Sequence, residues 1–259
     1  MKFVNYFEEK LIATVTLNRP EVRNAFNPAM IKEIKEIFLK LSTRHDLRAI
    51  IFKGEGKIFC AGGDLHWMKD MVRYTVDQNK EDANKLFEMY EAILHCPVPI
   101  VGVAQGAAFG GALGLLACCD YVISEEKTQF CFSEVKLGIA PAVISAFVFK
   151  KCTLGQVGPY MLTGQIFSAK SANLMGLVHD VADDESLPDR IETTIGWLRE
   201  VGPEAVRSTK TLIHSLSSLN WGEVKEETSE VIAERRVSAE GQEGLKSFLE
   251  KRKPSWRDL

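Results

Sequence analysis

Two strand-like runs, each passing through small residues into a helix-like segment, constrain this chain more than any other feature. The longer is Val98-Pro99-Ile100-Val101-Gly102-Val103-Ala104, followed by Gln105-Gly106-Ala107-Ala108-Phe109-Gly110-Gly111-Ala112-Leu113-Gly114-Leu115. Glycines let the backbone turn and approach a ligand closely, and the first N–H groups of a helix have no intrahelical acceptor. Gly110 and Gly111 are therefore placed to offer donors and a favourable dipole to a negative oxygen. Taken alone, the cluster fits tight packing of a helix on a sheet equally well. Arg48-Ala49-Ile50-Ile51-Phe52-Lys53, followed by Phe59-Cys60-Ala61-Gly62-Gly63-Asp64-Leu65-His66-Trp67-Met68, repeats the pattern, with Asp64 as a candidate helix cap. Two such turns can each give one N–H to the same oxygen.

The remaining pattern extends this alternation. Strands are expected near 3–8, 11–18, 47–53, 98–104, 120–124 and 128–132, with helices near 28–42 and 79–95, which predicts an α/β core. From about residue 143 the chain reads as almost wholly helical, apart from a brief strand-like Leu177–Val181. Amphipathic helices are expected near 184–200, 203–217, 221–236 and 239–251. No linker, repeat or low-complexity run divides the chain, so the expectation is a core over 1–197 continuous with a helical region over 198–259.

Composition excludes several function classes. With 32 basic against 35 acidic residues and a net charge of −3, nucleic acid and membrane surfaces are not expected partners. The first residues lack signal-peptide or transit-peptide character and no run reaches membrane-spanning length, so a cytoplasmic location is expected. Six cysteines show no zinc spacing and read as buried free thiols. Cys60, beside the first glycine turn, is the one to watch as a nucleophile. No metal site is expected, and the Gly-Gly repeats lack dinucleotide-binding order.

Glu134 lies between the apolar Thr128–Phe132 and Gly138. In an apolar pocket its pKa rises toward neutrality, as a general acid/base requires. Ser133-Glu134 also fits the start of an ordinary surface helix.

Taken together, these segments resemble the enoyl-CoA hydratase/isomerase, or crotonase, family. The resemblance rests on Leu17-Asn18-Arg19-Pro20, Arg23-Asn24-Ala25-Phe26-Asn27, Cys60–Leu65, Gly106–Gly111, Cys119-Asp120, Phe130–Pro141 and the tail Gly244–Pro254, in this order along nearly the whole chain. It implies a spiral of ββα units with a helical C-terminal oligomerisation region, assembled as a homotrimer or a dimer of trimers. It further implies an acyl-CoA small-molecule substrate, with coenzyme A entering as part of the thioester and no separate cofactor.

By the same resemblance, Gly63 and Gly111 carry the oxyanion-hole amides and Glu134 the α- or γ-proton. Ala61, Gly62, Asp64 and Leu65 match the segment lining the adenine side of coenzyme A. Ala25 matches a residue near the pantetheine, and Phe248 and Lys251 match tail residues that meet coenzyme A across a subunit boundary. His66 and Gly110 join the candidate substrate contacts.

Family hydratases carry a second, water-orienting glutamate three residues after the oxyanion-hole glycine. Here that position is Gly114, and the space above it is expected to be empty, hydrated or filled by substrate. Residues 64–69, 130–143 and 236–244 look most like bacterial hydratases of 3-methylglutaconyl-CoA and carboxygeranoyl-CoA types of substrate, the former belonging to leucine breakdown. A second substrate carboxylate would need a cation, for which Lys136, His66 and Lys69 are candidates.

The leading expectation is hydration of a short or branched 2-enoyl-CoA. The alternatives are isomerisation of a 3-enoyl-CoA by Glu134 alone, a decarboxylase or thioester hydrolase of the same fold, and a catalytically weak scaffold binding coenzyme A or RNA. Net acidity argues against RNA, and the presence of Glu134 against a dead enzyme.

Overall fold

A computed structural model describes residues 2–258. The chain opens with a hairpin, β1 (Val4–Glu9) and β2 (Ile12–Leu17), then α1 (Pro28–Ser42) and β3 (Ala49–Gly54). After the first glycine turn come α2 (Leu65–Met71) and α3 (Val76–Leu94), then β4 (Ile100–Ala104), β5 (Ala107–Phe109) and α4 (Ala112–Ala117). The next repeat is β6 (Tyr121–Glu125), β7 (Gln129–Cys131) and α5 (Ala142–Val148), with Glu134 opening a 3-10 turn between them. The remainder is α6 (Leu154–Thr163), β8 (Phe167–Ser168), α7 (Ala169–Leu174), β9 (Asp180–Ala182), α8 (Leu187–Glu200), α9 (Pro203–Ser215), α10 (Trp221–Val237) and α11 (Ala239–Leu249).

The main sheet has the order β1-β2-β3-β4-β6-β9, parallel beyond the first hairpin, and β5-β7-β8 form a second sheet. Successive turns of chain thus lay one strand in the main sheet, a short one beside it, and then a helix. β4 is buried at all five positions, as a parallel strand covered on both faces must be. On one face lies the large core, to which α1 contributes Met30, Ile34, Phe38 and Leu41 at helical spacing. On the other, Ile195 and the partly buried Leu187, Ile191 and Leu198 of α8 pack on Ile12, Ala49, Val101 and Ile123. The expected division at 197/198 falls within α8.

Three basic side chains bind the C-terminal helices to this core. Lys210 of α9 donates to the Val98 carbonyl and pairs with Asp120 at 2.6 Å, while Asp120 also accepts from the Ile100 N–H at 2.7 Å. Arg207 donates to the Arg44 and Leu47 carbonyls, and Arg48 to those of Arg199 and Val201. All three cations are at least 94% buried.

Candidate active site

The two glycine turns are stitched side by side. Cys60 N–H donates to the Ala107 carbonyl and Phe109 N–H to that of Cys60, so the first turn lies along β5. Gly62 (φ +92°) and Gly110 (φ +54°) adopt left-handed conformations. A Cβ on Gly62 would lie 2.8 Å from the Phe109 carbonyl oxygen, so the contact between the turns requires glycine there. The loop before α1 clamps the first turn from below, with Phe26 N–H donating to the Gly62 carbonyl and Asp64 N–H to that of Phe26.

Each left-handed glycine is followed by an amide left over from this stitching. Among the described residues, neither the Gly63 nor the Gly111 N–H finds a protein acceptor. Both residues retain solvent exposure while Gly62 and Gly110 are buried. Gly110 itself departs from expectation, because its N–H donates to the Cys131 carbonyl at 2.8 Å and is consumed by the scaffold. One donor per turn remains, Gly63 from the first and Gly111 from the start of α4.

Glu134 faces these turns. Its Oε1 lies 3.4 Å from where a Cβ on Gly110 would stand, and its buried Oε2 has no hydrogen-bond partner. Burial raises its pKa, opposed only by a bond from its own backbone. An unsatisfied buried carboxylate oxygen costs stability and marks a functional position more readily than a structural one.

The space above Gly114 is neither empty nor hydrated. A Cβ there would stand 2.7 Å from the Tyr90 ring and 2.9 Å from Ile144 Cγ2. Tyr90, fully buried on α3, packs against Phe147 with ring centroids 5.1 Å apart and donates its hydroxyl to the Gly111 carbonyl at 2.7 Å. A sequence window around Gly114 holds no signal for a residue 24 positions upstream, so this side chain escaped sequence reasoning.

The remaining candidates are distributed unevenly. Ala25 is buried beside the first turn, and Ala61 N–H donates to the Arg23 carbonyl. Asp64 caps α2 by accepting from His66 N–H at 2.7 Å and pairs with Arg19 at 2.7 Å. Burial would raise its pKa, but these hydrogen bonds outweigh it and hold the carboxylate below its ordinary value. Asp64 thus serves as the expected cap, while its tie to Arg19 was not legible beforehand. Leu65 and His66 are largely exposed on α2.

Cys60 is no nucleophile. Its thiol donates to the Asn24 carbonyl, and burial pushes its pKa up to about 12. Lys136 lays its stem along the Gly164 turn. Phe248 and Lys251 sit at the exposed end of α11, which packs mainly on α9 and α10, so one chain does not gather them with the turns.

Two unused amides near a buried carboxylate form an arrangement that can stabilise an oxyanion and move a proton. The model of the enoyl-CoA hydratase/isomerase family matches residues 8–259. An enoyl-CoA hydratase structure from Shewanella pealeana superposes with a TM-score of 0.93 at 37% identity, covering 98% of this chain and 96% of that one. The mevalonyl-coenzyme A hydratase of Aspergillus fumigatus is 31% identical, covering 95% of this chain and 91% of the relative. The trans-2-decenoyl-[acyl-carrier-protein] isomerase of Streptococcus mutans is 26% identical, covering 98% of each chain. The chain belongs to the enoyl-CoA hydratase/isomerase family, whose members act on acyl-CoA thioesters, and its fold is the crotonase spiral that the sequence resembled.

Proposed function

We propose that this enzyme hydrates a short or branched 2-enoyl-CoA reversibly, with Glu134 as its single acid/base. The observation that carries this reading is the pair of unused Gly63 and Gly111 amides beside the unpartnered Glu134 carboxylate oxygen. The thioester oxygen accepts from both amides. Glu134 takes a proton from water as the water oxygen bonds to the β-carbon, and the electrons of the double bond move onto the thioester oxygen. The enolate then collapses as Glu134 returns that proton to the α-carbon, so water is added overall. Fixed donors bind the enolate more strongly than the neutral carbonyl, which is the condition for acceleration.

A branched substrate of the 3-methylglutaconyl type is our specific proposal, supported by the mevalonyl-CoA named for one relative. Ala25, Ala61, Gly62, Asp64, Leu65, His66 and Gly110 would contact the thioester or coenzyme A. Phe248 and Lys251 would do so from a neighbouring copy in a trimer or a dimer of trimers.

Isomerisation of a 3-enoyl-CoA is the second reading. Tyr90 and Ile144 occupy the volume of any side chain at position 114, leaving one carboxylate, and a single base suffices to carry a proton between the α- and γ-carbons. A panel of crotonyl-, 3-methylcrotonyl-, 3-methylglutaconyl- and 3-hexenoyl-CoA separates the two. Loss of enoyl absorbance on the 2-enoyl thioesters supports hydration, and activity on the 3-enoyl compound alone overturns it in favour of isomerisation.

A further inference from the structure

The two oxyanion donors belong to different turns, so their mutual spacing has to be imposed from outside them. Phe26 joins the two turns. Its backbone holds Gly62 and Asp64, and its ring reaches the second turn, where a Cβ on Gly111 would fall 2.4 Å from Phe26 Cζ. Tyr90 meets the same face of Gly111, with its hydroxyl oxygen 2.9 Å from that same Cβ position. Its O–H donates to the Gly111 carbonyl at 2.7 Å, shorter than the helix bonds that carbonyl accepts from Gly114 N at 3.0 Å and Leu115 N at 3.4 Å. The open face of Gly111 is therefore covered by an aromatic edge and a hydroxyl, and the ring behind that hydroxyl is itself fixed against Phe147 and the bare face of Gly114.

We infer that Tyr90 is a positioning residue that sets the orientation of the Gly111 oxyanion donor relative to that of Gly63, in concert with the Phe26 ring. Tyr90 is fully buried, with its hydroxyl committed to Gly111, so it acts through that glycine rather than on substrate. Desolvation holds its pKa well above the ordinary tyrosine value, so the hydroxyl remains a proton-bearing donor throughout the working pH range. Gly114 is the complement of this arrangement, because any side chain there would displace the ring.

The inference rests on the reading of Gly63 and Gly111 as an oxyanion hole, and one experiment separates the two. Cinnamoyl-CoA absorbs at longer wavelength when its thioester oxygen is hydrogen-bonded, so its bound spectrum reports directly on the donors. Wild type is expected to shift the absorption to the red. Tyr90→Phe, which keeps the ring and leaves Gly111 its two helix bonds, is expected to lose most of that shift. Its kcat on the preferred enoyl-CoA should fall about 10- to 100-fold, the scale of a small misplacement of a catalytic group. KM should stay within about twofold, and the pH profile set by Glu134 should keep its shape.

A Tyr90→Phe enzyme with lowered Tm but wild-type shift and kcat would make Tyr90 a packing residue and overturn the inference. Should that variant fail to fold, Phe26→Leu decides, since removing the ring that covers Gly111 together with the Tyr90 hydroxyl must also diminish the shift. An undiminished shift in Phe26→Leu then overturns the inference. Absence of any shift in wild type, with cinnamoyl-CoA shown to bind, overturns the oxyanion reading itself.

Discussion

Glu134 carries opposite consequences for activity and stability. As a base it must be ionised, so kcat/KM should rise with pH through its raised pKa and then level off. Because the folded state holds this proton more tightly than the unfolded state, stability is lost as pH climbs from the ordinary glutamate range through the raised value. Glu134→Gln removes that penalty. Its Tm should exceed that of wild type at pH 8, with the difference closing toward pH 4, and calorimetry at the two pH values checks this. At the glycines, a Cβ on Gly63 meets the flexible end of Met68 at 3.1 Å and the Trp67 ring at an ordinary 3.6 Å, whereas one on Gly111 meets the Phe26 ring at 2.4 Å. Gly63→Ala is therefore expected to keep activity within about tenfold. Gly111→Ala should lose about 100-fold or more, the scale of a lost oxyanion donor, and also lower Tm. For the same reason Gly111→Pro changes shape as well as deleting a donor, and does not isolate the loss of the N–H.

At the scale of elements, α9 is tied to the sheet by charge rather than by an apolar stripe, since Lys210 and Arg207 are its two buried residues. Lys210→Met removes the cation from Asp120 and from the Val98 carbonyl, which begins the turn into β4. We expect a loss of about 2–3 kcal/mol, typical of hydrogen bonds to charged groups, read from the urea midpoint. Elements defined by their own composition were legible in sequence. β4 is an unbroken apolar run, and α1 shows its buried stripe with an Asn27 cap. β5 and β8 were not, because three and two residues carry no periodicity and exist only through pairing with β7. The same limit applies within the site. Local chain chemistry pointed to Gly110 and Gly111 and the family resemblance to Gly63 and Gly111, whereas the loss of the Gly110 N–H to Cys131 and the filling of Gly114 by Tyr90 are decided by distant segments.

Across the whole molecule, the proposed active centre lies where neighbouring turns of the spiral meet, with Phe26, Gly63, Gly111 and Glu134 arriving from four separate segments. The C-terminal helices leave apolar side chains uncovered, with Phe248 81% and Leu249 79% exposed at the end of α11. If a second copy covers this tail, Phe248→Asp should weaken association in sedimentation velocity and raise KM for the CoA thioester several-fold, with little change in protomer Tm. Such coupling would make coenzyme A affinity depend on protein concentration.

The central claim is that two fixed amides and Glu134 generate a thioester enolate, whatever the net reaction built on it. Butyryl-CoA tests this directly, because a saturated thioester can be neither hydrated nor isomerised but can still exchange its α-protons. In D2O, wild type should incorporate deuterium at the α-carbon, and Glu134→Gln should slow this at least about 100-fold, the scale of a lost general base, while still binding the thioester. Undiminished exchange in Glu134→Gln, or none in wild type with butyryl-CoA bound, would contradict the account.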